Sequence, residues 1–143
     1  KWIRSRGDNE INYVIVDKKT NESVGAITIL DVNEADGIAS VGRLLLDEQY
    51  LKQSKPYGLE ALLLTYDFVF NKMNFRKMTG EILEANQAMV KLQKFLGMTQ
   101  EGLLEKHVLI NGNYENICIM SIFKDKFNDF YLKKVNFLLK GFK

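Results

Sequence analysis

Residues 38–61 read IASVGRLLLDEQYLKQSKPYGLEA, and the change of rhythm inside them decides the fold. Ile38 to Asp47 is an apolar, β-branched run bounded by turn formers, which predicts a strand. From position 57 the period changes. Leu59, Leu62, Leu63, Tyr66, Val69, Phe70 and Met73 fall on one stripe of a helix expected over 57–73. Between them lies Gln53-Ser54-Lys55-Pro56-Tyr57-Gly58-Leu59-Glu60-Ala61. The first N–H groups of a helix have no acceptor within it, and the helix dipole places partial positive charge there. Such an end suits an anion, a diphosphate included. Ser54 is the expected N-cap, Lys55 adds a point charge, and Gly58 lets a ligand approach the backbone closely. An ordinary capped loop with a solvated lysine would look the same.

Working backward, INYVIVD (11–17) and VGAITILDV (24–32) predict two more strands, with a polar turn between them and Asp36-Gly37 turning into the third. The three should form an antiparallel meander, preceded by a helix tail over 1–7 that stops at Gly7. Forward, RKMTGEIL (76–83) is a strand that can pair in parallel with 38–47 through the intervening helix. A helix over 86–96 turns Met89, Leu92, Phe95 and Leu96 inward and stops at Gly97. Strands over 99–110 and 114–123 flank Asn111-Gly112-Asn113, a strong hairpin signal. A last helix covers 125–141. Strands and helices mix without strict alternation, so the class is α+β, with a single mixed, mostly antiparallel sheet flanked by helices.

The chain has 143 residues, 46% hydrophobic and 27% charged, which suits one folded domain and excludes wholesale disorder. A net charge of +2 is too small for a dedicated nucleic-acid surface. No apolar run is long enough for stable membrane insertion. One cysteine, Cys118, and one histidine, His107, argue against a disulfide framework and against a metal site. A lone thiol and no export signal point to the cytoplasm. Asn21-Glu22-Ser23 matches a glycosylation acceptor, a triplet short enough to arise by chance.

The second half carries an ordered set of short motifs: Asn86, Leu92-Gln93-Lys94, Leu96-Gly97-Met98, Glu101-Gly102, Glu105-Lys106-His107-Val108, Gly112-Asn113-Tyr114 and Ile119-Met120-Ser121. With the loop at 53–61 and the element order, this set resembles the GNAT superfamily of acyl-CoA-dependent N-acetyltransferases. The likeness covers about residues 11–123 and leans to the branch of ribosomal-protein N-terminal and nucleotide-amino-sugar acetyltransferases. It implies the acyl-CoA N-acyltransferase fold over 1–123, with the family's first strand and helix missing at the front, and 124–143 as an extra amphipathic helix. That helix suits docking on the domain or pairing in a homodimer.

The resemblance implies acetyl-CoA as acetyl donor and a primary amine as acceptor, either a nucleotide-linked amino sugar or a protein N-terminus. Pantetheine would run along the backbones of Leu44, Leu45 and Leu46. The diphosphate would sit on Gln53, Ser54, Lys55, Tyr57, Gly58 and Leu59, with Asn86, Gln93 and Lys94 nearest the rest of the cofactor. A backbone N–H near Leu45 would hold the oxyanion.

There are departures from the family pattern. Pro56 stands where the family's phosphate loop has its first glycine and removes one amide donor. Gln93 stands where many members carry the tyrosine that protonates the leaving thiolate. Ser40 stands where some carry a glutamate base. His107 is the candidate base, since imidazole changes charge nearest neutrality; a half-exposed strand residue is the alternative. Arg43 is expected to pair structurally, or with an acidic acceptor, and Cys118 to pack in the core. Tyr114 and Asn116 are candidates for acceptor contact. Acyl-CoA binding without turnover, or a scaffold that binds neither substrate, are the competing functions.

Overall fold

The computed structural model describes residues 2–3, 9–52, 55–131 and 133. They belong to two compact units, Lys1–Phe75 and Arg76–Lys143.

In the first unit, β1 (Trp2–Ile3), β2 (Ile11–Val16), β3 (Ser23–Asn33) and β4 (Ile38–Leu46) pair antiparallel in that order. The expected meander therefore gains a strand. Trp2 and Ile3 lie opposite Tyr13 and Asn12, where a helix tail was expected, because extended pairing satisfies their backbone groups on the flank of β2. Alternation holds in the first half of β4, where Ala39 and Val41 are buried, but not in β3, where Val24 and then Ile27, Thr28 and Ile29 in succession are buried, so both faces of that stretch are covered. Thr28, also buried, directs its hydroxyl to Asn12 Oδ1 across the β2–β3 pair at 2.6 Å.

A short helix, α1 (Glu48–Leu51), breaks the connection after β4 and was not expected. Helix α2 (Tyr57–Asp67) packs on β3 and β4. The single helix expected over 57–73 changes at Phe68 into a π-helical turn, Phe68–Lys72, with Met73 N–H bonding Phe68 O at 2.9 Å. The wider turn lets Tyr66, Val69 and Phe70 all reach the core, each 0% exposed. Tyr66 meets Phe70 edge-on at 6.5 Å.

In the second unit β7 (Asn113–Phe123) pairs antiparallel with both β5 (Lys77–Leu83) and β6 (Thr99–Ile110). Asn111 and Gly112 turn the β6–β7 hairpin, both at positive φ (49° and 82°), as a two-residue primed turn requires. Helix α3 (Gln87–Phe95) buries Val90 and Gln93, followed by Leu96 just past its end. The expected inward stripe is therefore rotated: Met89 and Leu92 are half-buried, and Phe95 is 50% exposed, edge-on to Phe130 at 6.2 Å. Helix α4 (Lys124–Phe130) follows β7 directly and inserts Phe127, which is fully buried. The helix expected over 125–141 otherwise falls largely on residues 132 and 134–143, outside the described set.

Candidate functional site

The end of β4 is irregular. Ala26 faces Leu45 and Thr28 faces Gly42, so β4 carries one more residue than β3 across that step. This β-bulge puts Arg43 at φ 50° and re-aims the strand's last residues. Gly25 makes the bulge possible, because a Cβ there would lie 2.2 Å from Leu45 O, so only glycine lets the two backbones meet. Leu45 itself is 67% exposed, with Leu44 and Leu46 half-buried. The Arg43 guanidinium takes both carboxylate oxygens of Glu10, at 3.0 and 3.1 Å, which is the structural pairing expected for it.

Helix α2 begins beside this end. A Cβ on Gly58 would sit 3.6 Å from both Leu44 Cδ2 and Leu46 Cδ1, so the first turn leans on the two leucines that flank Leu45. The N-cap is Pro56 rather than Ser54, because the first helical residue is Tyr57 and Glu60 N–H already bonds Pro56 O at 2.9 Å. Proline brings no side-chain acceptor to this place, so the first amides of the helix have no side-chain cap. The amides of Tyr57, Gly58 and Leu59 are the first of the helix. Gln53 and Ser54 lie outside the described residues.

Lys55 is engaged within the protein. Its Nζ lies 2.8 Å from Asp17 Oδ2 and 5.5 Å from the centroid of the Tyr57 ring. Tyr57 donates its hydroxyl to the same oxygen at 2.5 Å. Asp17 Oδ1 accepts from the amides of Lys19 (2.7 Å) and Thr20 (3.3 Å), in the turn between β2 and β3. These donors, Lys55 and Tyr57 first, hold the Asp17 carboxyl well below the usual carboxylate range, and Asp17 in turn raises the Lys55 ammonium. Asp17 was missed in the sequence, where it reads as the last residue of the strand over 11–17; the strand ends at Val16 instead. Gly25 was missed too, although a glycine inside a strand signals a bulge or a close approach.

In the second unit, Asn86 is the N-cap of α3, and its Oδ1 accepts from Met89 N–H at 3.2 Å. Gln93 is 4% exposed, and Lys94 is exposed in the last turn of α3, where a cation suits the dipole. His107 is exposed on β6 in a second bulge: Leu104 faces Ile117 while Val108 faces Glu115, and Lys106 has φ 49°. Asn116 clamps that bulge, accepting from Lys106 N–H and donating to Glu84 Oε2, both at 2.8 Å. Asn116 is therefore occupied within the fold, Tyr114 is 67% exposed, and Cys118 is 2% exposed, in the core as expected.

An open hollow of about 620 Å³ is lined by Asn9, Asp31, Val32, Asn33, Glu34 and Ala35. It opens at the β3–β4 turn, the far end of β4 from Leu46, about 25 Å away at the rise of a strand, so it is separate from the bulge. Among the described residues no group of three His, Cys, Asp or Glu side chains is placed to hold a metal ion, and no helix is long and apolar enough to cross a membrane.

Residues 1–99 match the acetyltransferase (GNAT) domain. This chain belongs to the GNAT family. The spermidine N(1)-acetyltransferase of Escherichia coli is 26% identical over 106 residues, covering 74% of this chain and 55% of that protein. A Vibrio cholerae protein of the same name is 22% identical, covering 84% and 68%. The crystal structure of spermidine N-acetyltransferase from Vibrio cholerae in complex with CoA and spermine superposes with a TM-score of 0.77 at 21% identity, covering 85% of this chain and 69% of that one. The expected α+β acyl-CoA N-acyltransferase fold is thus the observed one. The chain spans about half the length of the Escherichia coli relative. All three relatives are named for polyamines, and none of them for the ribosomal-protein or amino-sugar branch that the motifs led one to expect.

Proposed function

We propose that this GNAT chain is the acetyl-CoA-dependent N-acetyltransferase part of an enzyme acting on a primary amine in the cytoplasm. The observation that carries this is the geometry at the end of β4. A bulged strand end and the first turn of α2 are held side by side within one unit, with no side chain on Gly58. In this reading, pantetheine runs along Leu44–Leu46 and the diphosphate rests on the amides of Tyr57, Gly58 and Leu59. Residues 1–123 form the transferase domain and 124–143 a C-terminal appendage.

The chemistry is direct transfer. The neutral amine nitrogen attacks the thioester carbonyl carbon, the new C–N bond forms, the C–S bond breaks, the nitrogen gives up one proton to water, and the thiolate takes one up. The amine must first lose its own proton, to His107 or through water; a positioned base contributes about 10²–10⁴-fold. A backbone N–H near Leu45 stabilises the oxyanion. Gln93 is a hydrogen-bond donor at the position of the family's tyrosine and cannot release a proton near neutrality, so water protonates the thiolate.

The acceptor is a polyamine, by likeness to the named relatives; a nucleotide-linked amino sugar is the second candidate, by the motif pattern, and a protein N-terminus the third. The test is thiol release from acetyl-CoA with spermidine, spermine, a nucleotide-linked amino sugar and a free-amine peptide, preceded by a thermal melt with and without CoA. A cofactor at about 100 times its Kd adds roughly 2.7 kcal/mol of stability. Release with one amine supports the proposal and names the acceptor. A stability shift without release from any amine supports acyl-CoA binding without turnover. No shift refutes the proposal.

A further inference from the structure

We infer that Asp17, on the turn between β2 and β3, is a positioning residue that pre-shapes the segment on which the diphosphate of acetyl-CoA rests; the inference builds on the acetyltransferase reading. The segment Lys55-Pro56-Tyr57 enters α2 with one amide fewer than a glycine would give and without a side-chain cap. Its fixation comes from a residue about 40 positions earlier. Asp17 is 7% exposed, and a buried carboxylate must be paired. It has four donors: two turn amides on Oδ1, and the Lys55 ammonium and Tyr57 hydroxyl on Oδ2. Both sides of Pro56 are therefore tied to one carboxylate group. A second tether runs in parallel. Tyr50 of α1 donates to Glu22 Oε2 at 3.0 Å in the same turn and meets the Tyr57 ring edge-on at 5.8 Å.

The arrangement assigns Lys55 a different role from that of a free counter-charge. Its ammonium is already matched by Asp17, so it adds little net charge for a diphosphate and acts instead as a strut. Affinity then comes from having the Tyr57–Leu59 amides fixed before the ligand arrives, which removes the ordering cost of binding. If the aligned segment becomes populated only a tenth of the time, the apparent Kd rises tenfold.

The test measures binding of CoA and of S-acetyl-pantetheine, which lacks the diphosphate, to the whole protein and to Asp17→Asn, Lys55→Met, Tyr57→Phe and the Asp17→Asn/Lys55→Met double variant. Asp17→Asn and Lys55→Met should each weaken CoA about tenfold, with no further loss in the double variant, since both break one latch. Tyr57→Phe should move the same way by a smaller factor. S-acetyl-pantetheine should bind all variants alike, and the KM for acetyl-CoA should rise more than kcat falls. Tyr57→Phe removes one oxygen from a packed ring and keeps the test available if Asp17→Asn unfolds. Unchanged or tighter CoA binding by Asp17→Asn would overturn the inference; tighter binding would mean that Asp17 competes with the diphosphate for Lys55. Equal weakening of both ligands would overturn it as general damage. A wild-type protein that binds neither ligand would overturn the acetyltransferase reading itself.

Discussion

Replacing Gly58 by alanine should move stability and cofactor affinity in opposite directions. The added methyl would lie 3.6 Å from Leu44 Cδ2 and from Leu46 Cδ1, ordinary contact distance with no backbone in the way. Alanine in place of glycine in a helix gains up to about 1 kcal/mol in the interior, and about half that in the first turn. A methyl half-covered by two leucines adds about 0.4 kcal/mol. The free protein should therefore be about 1 kcal/mol more stable, a rise in Tm of about 3 °C for a chain of this size. In the proposed site the same methyl would stand where a diphosphate oxygen approaches the amides. Losing one hydrogen bond to a charged group costs about 1.5–3 kcal/mol, or about 10- to 150-fold in Kd. At a CoA concentration 100 times the wild-type Kd, a 30-fold weaker variant would keep about 0.9 of the 2.7 kcal/mol ligand stabilisation. Scanning calorimetry of both proteins, with and without CoA, reads all four values. An undiminished CoA shift in Gly58→Ala would refute the assignment of the diphosphate to the start of α2. A lower Tm of the free variant would refute the packing described around Gly58.

Gly25→Ala should behave differently, because its Cβ would lie 2.2 Å from Leu45 O; the strands must part, with a loss of about 1–3 kcal/mol in urea unfolding and of CoA binding together. Phe127→Ala should cost about 3–5 kcal/mol by the same assay if α4 is anchored in its unit by this fully buried ring, and a loss under 1 kcal/mol would contradict that. Lys77 holds the Glu101 carboxyl below its usual range, with Ser121 second, so the folded-state pKa is the lower one. The resulting stability is complete above the unfolded-state pKa of about 4.3 and is lost as pH falls through the folded value. Lys77→Met should therefore lower stability at pH 7 by less than about 1 kcal/mol, Glu101 being partly exposed, and flatten its acid dependence in urea titrations at stepped pH.

Most of the fold was legible because it is local. Asn111-Gly112 supplies the two positive-φ residues that a two-residue hairpin needs, and the strands on either side follow from it. The change of period after Asp47 marks the strand-to-helix step. What escaped depends on partners distant in sequence. Trp2-Ile3 becomes a strand only because β2 lies beside it, and the π-turn at Phe68 arises from burying three large side chains on one face. Within the candidate site, Gly58 was legible from its place at a helix start. Asp17 was not, since nothing near the end of the strand expected over 11–17 reveals a carboxylate bound to Lys55 and Tyr57. Lys55 was legible as a charge but not as one already matched, and the capping of α3 by Asn86 was not anticipated.

The burial of the sole cysteine has a practical consequence for assays. Cys118 lies in the middle of β7 and is 2% exposed. In the folded protein a thiol-reactive dye should therefore meet almost no background from this chain, against which CoA released in the proposed reaction would stand out. In denaturant the same sulfur becomes an internal clock. The rate at which it is labelled reports how often the second unit opens, and comparing that rate with and without CoA measures, with no substitution or added probe, whether the ligand steadies that unit.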